Sequence, residues 1–438
     1  VSPEALGALV FCLALGLLFA GMPVAFALFA ANLVGAWFLL GDLPGLLQLV
    51  DNATAQVTSF TLVAVPLFVL MGSLMFHSGL ALRVFDALDA LFGRLPGRLC
   101  YLTVAGSTAF STLTGSSLAN TAMLGALMVP EMERRGYARH MAIGPVVGTG
   151  GLAMLIPPSS LGVLLGSLAG INIGALLIAG LLPGLLLAVL YAGVVWLQVR
   201  RDPSVAPAYD VPARPRGERL RLVARILLPL GLVLFSVVGL LVLGIATPSE
   251  AAAFGVLSVA GIAAAGGRLT RPVLARALAD TATVSGMVFV LIMAAAVFSQ
   301  LLAFSGASRV AVEWALSLGQ DPLALLLLMF AVLLVLGMFI DQISIMLLTI
   351  PIFMPLVKAL GLDPVWFGLL MLLALEMSLT TPPFGLLLFL MQGVAPPGTT
   401  FGDVTRAAVP YLVCNFIAAA LIIAFPAIAL WLPELWLR

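Results

Sequence analysis

The chain has 438 residues, of which 62% are hydrophobic and 9% charged, with a formal net charge of +1. Soluble domains carry about 25% charged residues, so a water-soluble globule is excluded, and unbroken apolar runs exclude a β-barrel, whose strands alternate over about 10 residues. A near-zero net charge leaves no electrostatic footprint for nucleic acid.

Apolar runs able to span or nearly span ~30 Å of hydrocarbon fall at 5–20, 23–40, 59–77, 99–129 (broken at 115), 140–168 (broken at 157) and 174–197. Only Val1 to Leu6, with Glu4, precede the core of the first run, so it reads as a retained transmembrane helix rather than a cleaved signal. Residues 79–92 read as an amphipathic interfacial helix with Arg83, Asp86 and Asp89 on one face. A polar stretch at 200–225, rich in Arg and Pro, separates this set from a second: 226–244, 250–266, 282–303, 322–358 (broken at 337–342), 365–393 (broken at 382) and 407–431. In the second set the segment after Ser305-Gly306, with Arg309 and Glu313, corresponds to the interfacial helix. Cys12, Cys100 and Cys414 are scattered in apolar surroundings and read as buried free thiols.

The two sets repeat. Pro130 to Gly136 to Pro157 is 6 and then 21 residues, Pro355 to Gly361 to Pro382 is the same, and an offset of 225 aligns them. Each repeat has a small polar break inside one apolar run and a Pro-Pro break inside the next. If the first kind is a re-entrant hairpin and the second a crossing, placing 200–225 inside also places Arg83, Arg94, Arg98, Arg134, Arg135, Arg139, Arg268, Arg271, Arg276 and Arg406 inside. Only Arg309, Lys358 and Arg438 fall outside, so 17 of 20 basic residues obey the positive-inside rule. Each half then has about five crossings, an odd number, which inverts the second half. The expected fold is an all-α polytopic membrane protein: 1–199 as the first inverted repeat (hairpin 99–129, broken helix 140–168), 200–225 as a cytoplasmic basic linker, and 226–438 as the second (hairpin 322–358, broken helix 365–393).

Catalytic constellations are absent: the histidines are His77 and His140, near predicted membrane edges, no Gly-x-Ser-x-Gly occurs, and Lys358 lies in no phosphate loop. No enzyme activity and no cofactor are expected. The breaks carry the information. An unpaired backbone group in hydrocarbon costs several kcal/mol, so irregular backbone persists only where protein or a water-lined cavity surrounds it. Proline frees the carbonyl one turn earlier. Freed carbonyls with Ser and Thr hydroxyls make an oxygen shell suited to Na⁺, and half-helix N-termini suit an anion.

A cation site is therefore predicted from Ser116, Ser117 and Asn120 at the first hairpin tip, facing Gly148, Gly151 and Pro157, with Asp341, Gln342 and Ser344 facing Thr380, Thr381 and Pro382 in the second half. Substrate contacts are predicted at Asn120, Thr121, Pro158, Ser159, Ser160, Pro383 and Glu376. Ionisable residues within spans are costly and usually functional. Asp341 lines a coupling site or caps a helix; Glu376, whose counterpart at the 225 offset is Gly151, is a proton site, a coupling-site neighbour or a structural carboxyl. Thr247-Pro248-Ser249-Glu250 reads as a capped helix start.

These motifs resemble a known family. Gly115-Ser116-Ser117 through Pro130-Glu131-Met132-Glu133-Arg134-Arg135-Gly136-Tyr137, Ile156-Pro157-Pro158-Ser159, Thr247-Pro248-Ser249-Glu250-Ala251, Gly361-Leu362-Asp363-Pro364 and Thr381-Pro382-Pro383-Phe384-Gly385 resemble the large membrane (M) subunit, DctM-like, of tripartite ATP-independent periplasmic (TRAP) transporters. The resemblance covers nearly the whole chain. It implies an elevator-type secondary transporter of the ion-transporter superfamily in the bacterial inner membrane, with Na⁺ as coupling ion and a small organic anion as cargo. It also implies two partners, a separate small four-helix membrane subunit and a soluble periplasmic binding protein that delivers substrate. Glu376-Met377-Ser378 departs from the amides or hydroxyls that many members place ahead of Thr-Pro-Pro. Proton coupling through Asp341 or Glu376, a channel and a membrane enzyme are the alternatives.

Overall fold

The computed structural model describes residues 2–41, 43–80, 95–114, 117–157, 159–209, 217, 224, 228–317, 319 and 321–437, and every regular element among them is helical. Helices α1 (Pro3–Phe19) and α2 (Val24–Leu40) pack on each other. Next comes α3 (Leu43–Val57), where no apolar run predicted an element. A 3₁₀ turn at Phe60–Val63 then leads into α4 (Ala64–His77). The expected interfacial helix at 79–92 falls almost wholly on residues 81–94, outside the described residues. Helices α5 (Arg98–Thr114) and α6 (Ser117–Arg134) form the first hairpin; α7 (Arg139–Gly150), a 3₁₀ turn at Gly151–Met154 and α8 (Ser160–Ala169) form the first broken helix. The run at 174–197 divides at Gly180 into α9 (Ile173–Ala179) and α10 (Leu181–Arg201).

Past the linker come α11 (Leu228–Val242), α12 (Pro248–Ala265), α13 (Arg271–Phe304) and α14 (Ala307–Ser317). The second hairpin is α15 (Pro322–Gly337) with α16 (Gln342–Ala359), and the second broken helix is α17 (Pro364–Leu379) with α18 (Leu386–Val394). The run at 407–431 ends as two helices, α19 (Phe401–Ala424) and α20 (Ala427–Leu437), parted at Phe425-Pro426. Among the described residues five helical stretches are long and apolar enough to cross a membrane: Ile173–Arg201, α12, α13, α16 and α19. Together with the composition they make this a multi-pass membrane protein. At 1.5 Å per residue α13 is about 51 Å long, so its first turns, with Arg271, Arg276 and Asp280, extend beyond the hydrocarbon.

Two packing groups are evident. In one, α4 packs against α12 and α13, and α13 also against α2 and α3. Polar pins fix their register: Asn32 Nδ2 donates to the Ala294 carbonyl (2.7 Å), Asn52 to Gln300 (2.9 Å), and Ser73 to Asp280 (2.9 Å), which also meets His77 Nε2 at 2.6 Å. In the other, α7 is enclosed by α5, α6 and α19, and α15 lies on α17. Thr247 and Glu250 form the capping box that starts α12, as the Thr-Pro-Ser-Glu pattern predicts. Cys100 and Cys414 are buried, whereas Cys12 is exposed on α1, contrary to expectation.

Proline explains two long-range bonds. Pro145 has no N–H, which frees the Met141 carbonyl, and Cys100 Sγ donates to it at 3.3 Å. Pro426 likewise frees the Ile422 carbonyl, which accepts from the indole Nε1 of buried Trp366 at 3.0 Å. Trp366→Phe orphans that carbonyl and is expected to cost about 1–3 kcal/mol, measured as a lowered thermal midpoint in detergent; Pro426→Ala in the same chain restores an N–H and recovers part of the loss. A Trp366→Phe variant as stable as the parent would show that water replaces the indole.

The start of the linker is strapped across the base of the first hairpin. The Gly97 N–H donates to the Ala206 carbonyl (3.0 Å) and the Ala138 N–H to the Val205 carbonyl (2.8 Å). The Arg135 guanidinium sits 3.9 Å from the centre of the Tyr209 ring. Of the 200–225 linker, 210–216, 218–223 and 225 lie outside the described residues.

Candidate functional site

The site is built where both hairpins reach the break of the first broken helix. Ser117, Asn120 and Thr121 lie in the first turns of α6 and are buried. Asn120 Nδ2 donates to Ser107 Oγ (2.9 Å), and that hydroxyl donates to the Thr149 carbonyl (3.2 Å) in the last turn of α7. A polar chain thus ties hairpin tip to helix break. Next along the break, a Cβ on Gly150 would overlap Thr121 Oγ1, so glycine is what lets that hydroxyl touch the backbone. A Cβ on Gly151 would overlap Glu376 Cγ and lie 2.5 Å from its Cδ and Oε1. The two consecutive glycines therefore receive a hydroxyl from the first hairpin and a carboxyl from α17.

From the second hairpin, Gln342 Nε2 reaches Met154 Sδ (3.2 Å) and the Leu375 carbonyl (3.3 Å), which flank the same spot. Gln342 thus joins its own broken helix, at Leu375, to the break of the first, at Met154. Thr380 and Thr381, expected to face Asp341 and Gln342, turn their hydroxyls to the Met377 carbonyl of their own helix at 3.0 and 2.7 Å. Asp341 is exposed and caps α16, accepting from the Ile343 and Ser344 N–H groups at 3.1 Å and from the Ser344 hydroxyl. Of its two predicted roles, the geometry supplies the cap.

The remaining predicted residues are placed as follows. Ser116 and Pro158 lie outside the described residues. Gly148 seats the ring of Tyr411 from α19, which a Cβ would strike. Pro157 is buried, and buried Ser159 caps α8 by accepting from the Gly162 N–H at 3.0 Å, with Ser160 as the first residue of that helix. Pro382 is half-buried and Pro383 exposed at the second break. Sequence reasoning missed Ser107 and Met154.

Burial and bonding are mismatched at the centre. Ser117 Oγ, Thr121 Oγ1 and both carboxyl oxygens of Glu376 are buried without a hydrogen-bond partner among the described residues, although buried polar groups are normally satisfied. Glu376 is 1% exposed. A cavity of ≈430 Å³ lies elsewhere, lined by Asn52 and Gln56 of α3, Ser299 and Gln300 of α13 and Leu347 and Pro351 of α16. None of the predicted site residues lines it.

Comparison with known proteins follows the same lines. Residues 11–428 match the family model described as "Tripartite ATP-independent periplasmic transporter, DctM component". The chain is 33% identical over 424 residues to the sialic acid TRAP transporter large permease protein of Vibrio cholerae, covering 97% of each chain. It is 31% identical to the ectoine TRAP transporter large permease protein of Halomonas elongata, covering 97% of this chain and 98% of that one. It is 33% identical over 381 residues to the C4-dicarboxylate TRAP transporter large permease protein of Pseudomonas aeruginosa, covering 86% and 87%. Among solved structures, the YdaH transporter of Alcanivorax borkumensis superposes with a TM-score of 0.65 at 16% identity, covering 100% of this chain and 99% of that one, a likeness of fold.

Proposed function

Since the chain belongs to the DctM family, the large membrane components of tripartite ATP-independent periplasmic transporters, we propose that it imports a small organic anion of the carboxylate type, driven by Na⁺, across a bacterial inner membrane. Sialic acid and C4-dicarboxylates in the names of its relatives support a carboxylate cargo. What carries Na⁺ coupling is the set of buried, unpartnered hydroxyl oxygens, Ser117 Oγ and Thr121 Oγ1, beside a helix break. The oxygens gathered at the break are mainly hydroxyls and carbonyls, which fit a hard monovalent cation. Ser116, Ser117, Asn120 and the Gly148–Gly151 backbone would hold it. Bound Na⁺ supplies positive charge that offsets the anion. The protein's own part is to exclude water, to fix those oxygens through the Asn120–Ser107–Thr149 chain, and to present the capped start of α8 at Ser159 and Ser160 to the substrate.

We further propose that 1–199 and 226–438 are inverted repeats joined by 200–225. Support comes from counterparts that touch, Gly151 and Glu376, 225 residues apart, and from Tyr191, which donates to Asn415, the neighbour of its counterpart Phe416, at 2.5 Å. A residue in contact with its own repeat mate lies at the pseudo-twofold axis. In an elevator, the two hairpins and broken helices would travel against a frame of α1–α4 and α11–α13, with a four-helix small subunit against the frame and a periplasmic binding protein delivering substrate. The membrane potential fixes the sign: an anion entering a negative cytoplasm is opposed by ~2.3 kcal/mol per charge per 100 mV, so Na⁺ must exceed the anion's charge, and two Na⁺ per monoanion suffice.

In proteoliposomes holding the chain with its small subunit and loaded binding protein, replacing external Na⁺ by choline is expected to lower uptake on the order of 10-fold or more. Undiminished uptake would sink Na⁺ coupling.

A further inference from the structure

Glu376 was expected among the substrate contacts, but a carboxylate repels an anionic cargo, and its surroundings point elsewhere. It lies in the last turn of α17, 1% exposed, pressed on Gly151 immediately beyond the last turn of α7. Helix C-termini carry partial negative charge, so the carboxyl faces the negative ends of two helices. No donor among the described residues reaches either of its oxygens, and an isolated buried carboxylate is too costly to persist. A proton alone would neutralise the carboxyl but would not draw on the unpartnered Thr121 hydroxyl at the neighbouring glycine. A cation does: it neutralises the carboxylate, draws on both helix ends and accepts the oxygens left without partners.

We propose that the Glu376 carboxylate is the anionic ligand of a coupling cation held between the ends of α7 and α17. The Thr121 hydroxyl at the neighbouring Gly150 is a second ligand from the first hairpin. Gln342 braces the site from the second hairpin by holding Met154 and the Leu375 carbonyl on either side. One carboxylate balances one charge, which selects a monovalent ion of Na⁺ type over a divalent one. Because Gly151 and Glu376 are repeat mates, this ion would join the two halves of the chain at their axis, whereas ions at the hairpin tips would belong to one half each. The assignment rests on the Na⁺-coupled reading above and adds to it the residue that carries the charge.

The test uses the full-length protein in detergent with its small subunit. Thermal stabilisation is titrated with NaCl against choline chloride at constant ionic strength for the parent, Glu376→Gln and Glu376→Asp. The NaCl midpoint is expected to rise by about 10-fold or more in Glu376→Gln and by less in Glu376→Asp, which keeps the charge but shortens the reach. Should Glu376→Gln fail to fold, Glu376→Asp decides. A second measurement needs no variant: labelling of Glu376 by a hydrophobic carbodiimide, read by peptide mass spectrometry, is expected to fall about 10-fold in NaCl relative to choline. Midpoints that do not move, or labelling that Na⁺ does not change, overturn the assignment. Those failures together with Na⁺-dependent uptake discard Glu376 alone; uptake that is the same in choline discards Na⁺ coupling itself.

Discussion

Gly148→Ala is expected to lower the stability of the folded protein by about 3 kcal/mol, read as a loss of thermal midpoint in detergent. Alanine is the better helix former by about 1 kcal/mol, so propensity alone gives the opposite sign. Packing reverses it. A Cβ at Gly148 would overlap Cγ and Cδ1 of Tyr411 and lie 2.6 Å from its Cβ, while a Cβ at Gly144, one turn earlier, would lie 2.8 Å from Cε2. The ring is thus seated along two glycines of α7, and it has no room to retreat: Tyr411 is 1% exposed and packs 5.4 Å from the ring of Tyr191, which is itself held by Asn415. Gly193→Ala in α10 is the control, since nothing lies within 4 Å of that position; it is expected to be neutral or to gain up to about 1 kcal/mol. Equal midpoints for the two variants would mean that α7 and α19 are not packed through this seat.

The second large effect is at Gly151. Alanine there drives a Cβ into Glu376, with an expected cost of about 2 kcal/mol and a fall in Na⁺-dependent uptake of about 10-fold. Shortening the opposing side chain makes room, so Gly151→Ala with Glu376→Ala should recover the stability lost to overlap while uptake stays low. In a double-mutant cycle the coupling should reach about 2 kcal/mol, as for directly touching side chains. Additive losses would show that the two positions do not meet. Recovery of both stability and uptake would show that Glu376 fills space and nothing more.

Much of this arrangement is written in the chain at the level of runs and breaks. Apolar length marks the spans, and glycine and proline mark where helices stop, because both act locally on the backbone. Side-chain partners are a different matter. Thr380 and Thr381 looked like part of an oxygen shell, yet a hydroxyl near a helix end can bond the carbonyl one turn back, and rotamer choice has no signature in spacing. Asp341 caps the free N–H groups of α16, a partner that its spacing from the Thr-Pro-Pro break does not reveal. Helix α3 escaped notice because Asp51, Asn52 and Gln56 dilute its hydropathy although it folds on α13. Cys12 read as buried from its apolar neighbours; in a bilayer the surface is apolar too, so neighbours do not separate core from lipid face. The offset of 225 paired Glu376 with Gly151 on paper, but that the two touch is visible only in the folded chain.

The strap at the base of the first hairpin carries a mechanical consequence. Backbone bonds from Gly97 and Ala138 to Ala206 and Val205, with Tyr209 under the Arg135 guanidinium, fasten the chain just after α10 to both legs of the α5–α6 hairpin. Any displacement of that hairpin would have to carry residues 205–209 with it or break these contacts.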